Sequence, residues 1–181
     1  MKIIGLAGSL RKGSYNSMLL RAAAELAPES VKLEVATIRG IPLYDGDAEA
    51  KDGIPEAVAA LKDEIASADG LLLATPEYNG SIPGVFKNAI DWLTRPPADV
   101  PRVFGGRAVA LTGATPGRLG TALAQAAWLP TLRALGTRVW AGPRLMVSSA
   151  NKAFDEDGRL IDEGVRKNVR EFMKGFAEFI G

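Results

Sequence analysis

The chain has 181 residues, of which 47% are hydrophobic and 24% charged, and its 22 basic and 21 acidic side chains leave a formal net charge of +1. That size and balance suit a single domain spanning 1–181 and exclude a disordered or fibrous chain, while so small a net charge supplies no basic field to hold a nucleic-acid backbone. Cysteine and histidine are both absent, which excludes disulfides, thiol nucleophiles, serine–histidine triads, cysteine-ligated clusters and His/Cys zinc sites, and no metal site is assigned.

Short apolar runs alternate with amphipathic stretches along the whole chain, the pattern of strand–helix units around a parallel sheet. The first run, Ile3 to Ala7, is too short for the core of an export signal, and no apolar stretch nears the roughly 20 residues of a membrane helix. A cytoplasmic protein with no membrane partner is expected. Leu19, Leu20, Ala23 and Ala27 follow with helical spacing. A second strand is predicted at Val31 to Thr37, then an irregular stretch from Gly40 to Gly53. Val58, Leu61, Ile65 and Ala68 form a second helical stripe, and Leu71 to Thr75 a third strand. Val85, Phe86, Ala89, Ile90 and Leu93 mark a third helix, opened by Pro83.

Arg95 to Gly106, with its Pro96-Pro97 pair and Pro101, reads as a loop. The fourth strand is predicted at Ala108 to Thr112. Leu119, Leu123, Ala126 and Ala127 begin a fourth helix that must bend or end near Pro130. The fifth strand is predicted at Thr137 to Ala141. Val165, Val169, Phe172, Phe176 and Ile180 keep helical spacing in a last helix whose other face is charged. Most of these strands are apolar on both faces, as in a central sheet covered by helices on either side.

Chemistry concentrates in the loops that leave the strands. GSLRKGSYN, Gly8 to Asn16, runs from the first strand into the first helix, where backbone N–H groups and the helix dipole favour an anion. Ser9, Ser14, Asn16 and Ser17 add donors, and Arg11 can grip phosphate oxygens with a bidentate fork. The competing reading is that Ser14 or Asn16 caps the helix while Arg11 and Lys12 are solvated charges. Gly8 and Gly13 have the gap of a P-loop, but Ser14-Tyr15 replaces its Lys-Ser/Thr, which argues against a nucleoside triphosphate.

TPEYNGSIPG, Thr75 to Gly84, leaves the third strand at the same sheet edge. Ligands of open parallel sheets bind outside the carboxyl ends of the strands where strand order reverses, so both loops can line one crevice. Tyr78 offers an aromatic face, and backbone amides near Glu77 to Gly80 can address a planar heterocycle such as a flavin. TGATPG, Thr112 to Gly117, leaves the fourth strand at that edge, with small residues that permit close backbone approach. Each of the last two loops is also readable as an ordinary turn.

Together GSLRKGSYN, IPLYDGD at Ile41 to Asp47, and TPEYNGSIPGVFKNAIDWLTR from Thr75 to Arg95 resemble the NADPH-dependent FMN reductases, including bacterial chromate and quinone reductases. The resemblance runs over nearly the whole chain. It implies an α/β flavodoxin-like fold, a doubly wound five-stranded parallel sheet with helices on both faces. It further implies that the first loop holds the FMN phosphate through Ser9, Arg11, Gly13, Ser14, Tyr15, Asn16 and Ser17. Pro76, Glu77, Tyr78 and Asn79 would hold the isoalloxazine, with Gly113 and Ala114 approaching through their backbone.

The activity so implied is electron transfer from NADPH or NADH, through bound FMN, to a small-molecule acceptor such as a quinone, flavin, azo compound or chromate. A ping-pong cycle is expected, and the flavin carries the chemistry, so no catalytic side chain is required. Arg95 is a candidate for attracting an anionic acceptor, against a structural role at the helix end. The family forms dimers and tetramers, so a homo-dimer or homo-tetramer is expected. The competing function is a flavodoxin-like electron carrier without NAD(P)H oxidation of its own, whose strongly acidic docking face has no counterpart in this nearly neutral chain.

Overall fold

A computed structural model describes residues Met1–Gly181. Six strands form one wholly parallel sheet: β1 (Lys2–Ala7), β2 (Lys32–Ala36), β3 (Gly70–Ala74), β4 (Ala108–Ala114), β5 (Arg138–Val139) and β6 (Leu145–Val147). Their order is β2-β1-β3-β4-β5, with β6 also on β4. The intervening helices are α1 (Tyr15–Leu26), α2 (Gly46–Asp52), α3 (Glu56–Ala66), α4 (Gly84–Leu93), α5 (Val100–Val103), α6 (Ala122–Ala134), α7 (Ala150–Ala153) and α8 (Glu163–Ile180). This is the flavodoxin-like arrangement.

The sheet separates two apolar layers, because alternate strand residues point to opposite faces. Ile3, Leu72 and Ala110 meet Leu19, Leu20, Phe172 and Phe176, from α1 and α8, on one side. Ile4, Leu6, Leu71 and Leu73 meet Val58, Ile65, Phe86, Trp92 and Trp128, from α3, α4 and α6, on the other. Every residue of β3 is buried, as the continuous apolar run anticipates.

The fifth strand differs from the expected Thr137 to Ala141. The edge of β4 is paired in two pieces, Ala108 and Val109 with β5 and Thr112 to Ala114 with β6. Trp140 donates its backbone N–H to the Val109 carbonyl at 2.8 Å. Its ring packs edge-on against Phe172, centroids 5.0 Å apart. The chain then leaves the ladder before Pro143, which has no N–H to donate.

Both expected irregular stretches contain helix. In the first, Asp45 caps α2 by accepting from the N–H groups of Asp47 (2.8 Å) and Ala48 (3.4 Å), and Gly53 ends it at φ 79°. No residue of α2 is buried, so no apolar stripe announces it. The second holds a 3₁₀ turn at Pro97–Asp99 followed by α5. Helix α6 continues through Pro130, and it departs from the expected stripe: it starts at Ala122, after Leu119, and buries Ala124, Gln125, Trp128 and Leu132 while Leu119, Leu123 and Ala126 are exposed. Pro130 lies on the exposed face, and the carbonyl it deprives of a donor is that of exposed Ala126.

Candidate functional site

β1 is paired on one side by β2 and on the other by β3, so strand order reverses between β1 and β3. Ligand crevices of open α/β sheets form at that point. The loops after β1, β3 and β4 meet there around a cleft of about 390 Å³, open to solvent. Its wall consists of Ser9, Arg11, Ser14, Tyr15 and Asn16 from the first loop, Pro76, Glu77 and Tyr78 from the second, and Ala114, Thr115 and Pro116 from the third. Four residues singled out from the sequence, Gly13, Ser17, Asn79 and Gly113, are not on this wall.

The loops come together because two glycines admit their neighbours. Gly8 donates to the Ala74 carbonyl at 2.9 Å, and a side chain at Gly8 would run into the Phe86 ring. A Cβ at Gly113 would run into the Thr121 side chain and the Thr75 carbonyl, so Gly113 serves packing behind the third loop. Asn79 and Gly80 occupy left-handed backbone, φ 52° and 70°, in the two-residue turn closed by reciprocal 3.1 Å bonds between Tyr78 and Ser81. That Asn-Gly turn projects Tyr78 with 46% of its surface exposed.

At the head of α1 both readings of the first loop hold. Ser14 is the cap, its Oγ accepting from the Ser17 N–H at 3.4 Å. The backbone N–H groups of Gly13, Ser14, Tyr15 and Asn16 nevertheless find no acceptor within the chain. They form the positive end of a 12-residue helix. Arg11 is exposed beside them and takes part in none of the ion pairs. The cleft thus has a donor-rich end for an anion and, at Tyr78, an aromatic end.

The cleft's one carboxylate is committed elsewhere. Glu77 Oε2 accepts from the N–H groups of Leu123 at 2.8 Å and Ala124 at 3.1 Å, capping α6 from another loop. Asn16 is 3% exposed, and its carboxamide exchanges two hydrogen bonds with the Ala114 peptide. The Ala114 N–H and carbonyl, expected to face a ligand, are therefore engaged by Asn16.

Arg95 is placed away from the cleft wall. Its Nε meets both carboxylate oxygens of Glu49, at 3.0 and 2.8 Å. The guanidinium holds the Glu49 carboxyl below its ordinary range, and Glu49 in turn raises Arg95. Tyr44 donates its hydroxyl to Glu49 at 3.0 Å, which raises the phenol. The Trp92 Nε1–H and Asn88 Nδ2–H both donate to the Pro42 carbonyl. IPLYDGD is thus a latch holding the segment before α2 onto α4, a role visible only once the residues 44 to 50 positions apart are brought together.

Comparison with known proteins places these features among flavoenzymes. Residues 1–152 match the family described as NADPH-dependent FMN reductase. An NAD(P)H-dependent FMN reductase of Pseudomonas aeruginosa is 47% identical over 174 residues, covering 96% of this chain and 92% of the relative. The quinone reductase of Escherichia coli K12 is 38% identical over 182 residues, 99% of this chain and 95% of that one. Among solved structures, the flavoenzyme NAD(P)H:(acceptor) oxidoreductase FerB of Paracoccus denitrificans superposes with a TM-score of 0.88 at 36% identity, over 99% of this chain and 96% of its own.

Proposed function

The chain belongs to the NADPH-dependent FMN reductase family, and on that footing we propose that one FMN occupies the three-loop cleft and that quinones are the acceptors. The protein is an FMN-dependent NAD(P)H oxidoreductase. The observation that carries the assignment of the cleft is the run of unpaired backbone N–H groups from Gly13 to Asn16 beside Arg11. A phosphate monoester matches it in charge and in number of acceptors.

In this reading the N–H groups of Gly13, Ser14, Tyr15 and Asn16 hold the phosphate, and Ser9 and Arg11 add side-chain donors. Pro76, Glu77 and Tyr78 of the second loop and Ala114, Thr115 and Pro116 of the third would hold the ring. Bound there, FMN supplies the redox chemistry, accepting an electron pair from reduced nicotinamide and giving it to the acceptor. The chain's own task is to fix the ring and leave one side open for two substrates in turn. Tyr78, half exposed at the rim, is placed to border that opening.

Quinone reduction is supported by relatives named quinone reductase and 2-hydroxy-1,4-benzoquinone reductase, each 38% identical. Chromate, azo compounds and free flavin are further candidate acceptors, being reducible by an exposed reduced ring. These relatives are reductases, which favours an enzyme over an electron carrier. A homo-oligomer is supported by apolar Leu119, Leu123 and Leu129, which are 60%, 51% and 43% exposed around α6. No helix is long and apolar enough to cross a membrane, and dependence on reduced nicotinamide supports work in the cytoplasm.

Anaerobic mixing with NADPH or NADH, followed by a quinone, tests the function. The FMN-loaded protein should bleach on mixing with a nicotinamide and recover its flavin absorbance stoichiometrically on adding the quinone. Bleaching only in the presence of a separate reductase would assign it to the electron carriers.

A further inference from the structure

We propose that Asn16 is a positioning residue whose side chain fastens the third loop to the first and does not itself hold the phosphate. The proposal rests on the FMN reading of the cleft. Asn16 Nδ2 donates to the Ala114 carbonyl at 3.0 Å, and the Ala114 N–H donates to Asn16 Oδ1 at 2.9 Å, across 98 residues of sequence. The carboxamide orientation is fixed by chemistry, because an N–H requires the oxygen and a carbonyl requires the NH₂ group. Both residues are 3% exposed.

Ala114 needs this partner. It ends β4, and the strand neighbour at that level, Val147 of β6, takes its donor from Thr115. Without Asn16, the Ala114 peptide would be left with a buried, unpaired N–H and carbonyl at the point where the third loop begins. Asn16 thus faces two ways. Its main-chain N–H belongs to the unpaired set at the head of α1, and its side chain holds the wall formed by Ala114, Thr115 and Pro116.

The two roles separate by ligand. If the side chain positions the third loop, its loss weakens any flavin in the cleft, with or without a phosphate. If it grips the phosphate, its loss weakens FMN alone. We would titrate wild type, Asn16→Ala and Arg11→Ala with FMN and with riboflavin, and follow amide hydrogen exchange in the flavin-free proteins.

Asn16→Ala should weaken FMN and riboflavin by the same factor, about tenfold, the size expected for losing such a buried pair. Arg11→Ala should weaken FMN and spare riboflavin. In flavin-free Asn16→Ala the exchange of the Ala114 amide should rise at least about tenfold more than that of the Leu72 and Leu73 amides of β3, which report global opening. Loss of FMN affinity with riboflavin binding intact, or Ala114 exchange that rises no more than theirs, would overturn the proposal. If wild type takes up neither flavin, the FMN reading fails and the exchange data still decide whether Asn16 holds Ala114. Should Asn16→Ala not fold, Asn16→Ser, which leaves room for water at the Ala114 peptide, carries the same comparisons.

Discussion

Glu77 caps a helix to which it does not belong: its Oε2 accepts the Leu123 N–H at 2.8 Å across 46 residues of sequence. The residue in the capping position of α6, Thr121, has φ 65° and makes no side-chain cap. Trp128, two turns further on, donates Nε1–H to Thr75 Oγ1 at 3.1 Å, at the start of the same loop. The second loop and α6 are therefore one mechanical unit. Glu77→Ala should destabilise the protein by about 1 kcal/mol, the usual value of an N-cap, whereas Glu77→Gln, which keeps an acceptor oxygen, should retain most of it. Urea unfolding midpoints measure both, and equal losses in the two variants would refute the cap.

Two glycines near the cleft should respond unequally to alanine. At Gly113 the new methyl meets the Thr121 side chain and the Thr75 carbonyl, neither free to move. Overpacking of that kind costs about 1–3 kcal/mol. At Gly13 it meets nothing within 4 Å, so thermal stability should change by less than about 0.5 kcal/mol. Differential scanning calorimetry of the two variants gives the comparison.

Acid should undo the Glu49–Arg95 pair. The guanidinium lowers the Glu49 carboxyl in the folded state, so the pair's stabilisation is complete above the unfolded value, about 4.3. It is lost as pH falls through the lower folded value. Asp99, lowered chiefly by Lys62 at 2.7 Å, behaves alike. Wild type should therefore exceed Glu49→Gln in stability at neutral pH, and the gap should close under acid. Urea midpoints from neutral pH into acid test this, and a constant gap would contradict it.

Arg11 should matter for ligand and not for fold. It is exposed and in no ion pair, so Arg11→Ala should leave the unfolding midpoint unchanged. A charge-assisted hydrogen bond to phosphate is worth about 1.5–3 kcal/mol, or about 10- to 150-fold in FMN affinity. The loss should shrink in high salt as the wild-type contact is screened.

What the sequence reveals tracks how local each determinant is. Ile3 to Ala7 and Leu71 to Thr75 are legible as strands because burial on both faces leaves an unbroken apolar run, and both match β1 and β3 within a residue. Helix α2 escapes notice because it buries nothing, and only Asp45 and Gly53 mark its ends. The stripe through Leu119 and Leu123 misleads because Leu119 precedes α6 and the helix turns Trp128 inward, leaving both leucines exposed. In the cleft, strand-end position is enough to gather Ser9, Arg11, Tyr15 and Tyr78. It is not enough to show that Asn16 spends its side chain on Ala114, that Glu77 caps α6, or that Gly113 answers to the Thr75 carbonyl, since each partner lies in a distant segment.

The most direct test of the account is an equilibrium titration of the flavin-free protein with FMN, read by quenching of flavin fluorescence. Saturation at one FMN per chain, with riboflavin held less tightly for want of the phosphate, is the expected result. Failure to saturate, or equal affinity for FMN and riboflavin, would contradict the assignment of the head of α1 as a phosphate site.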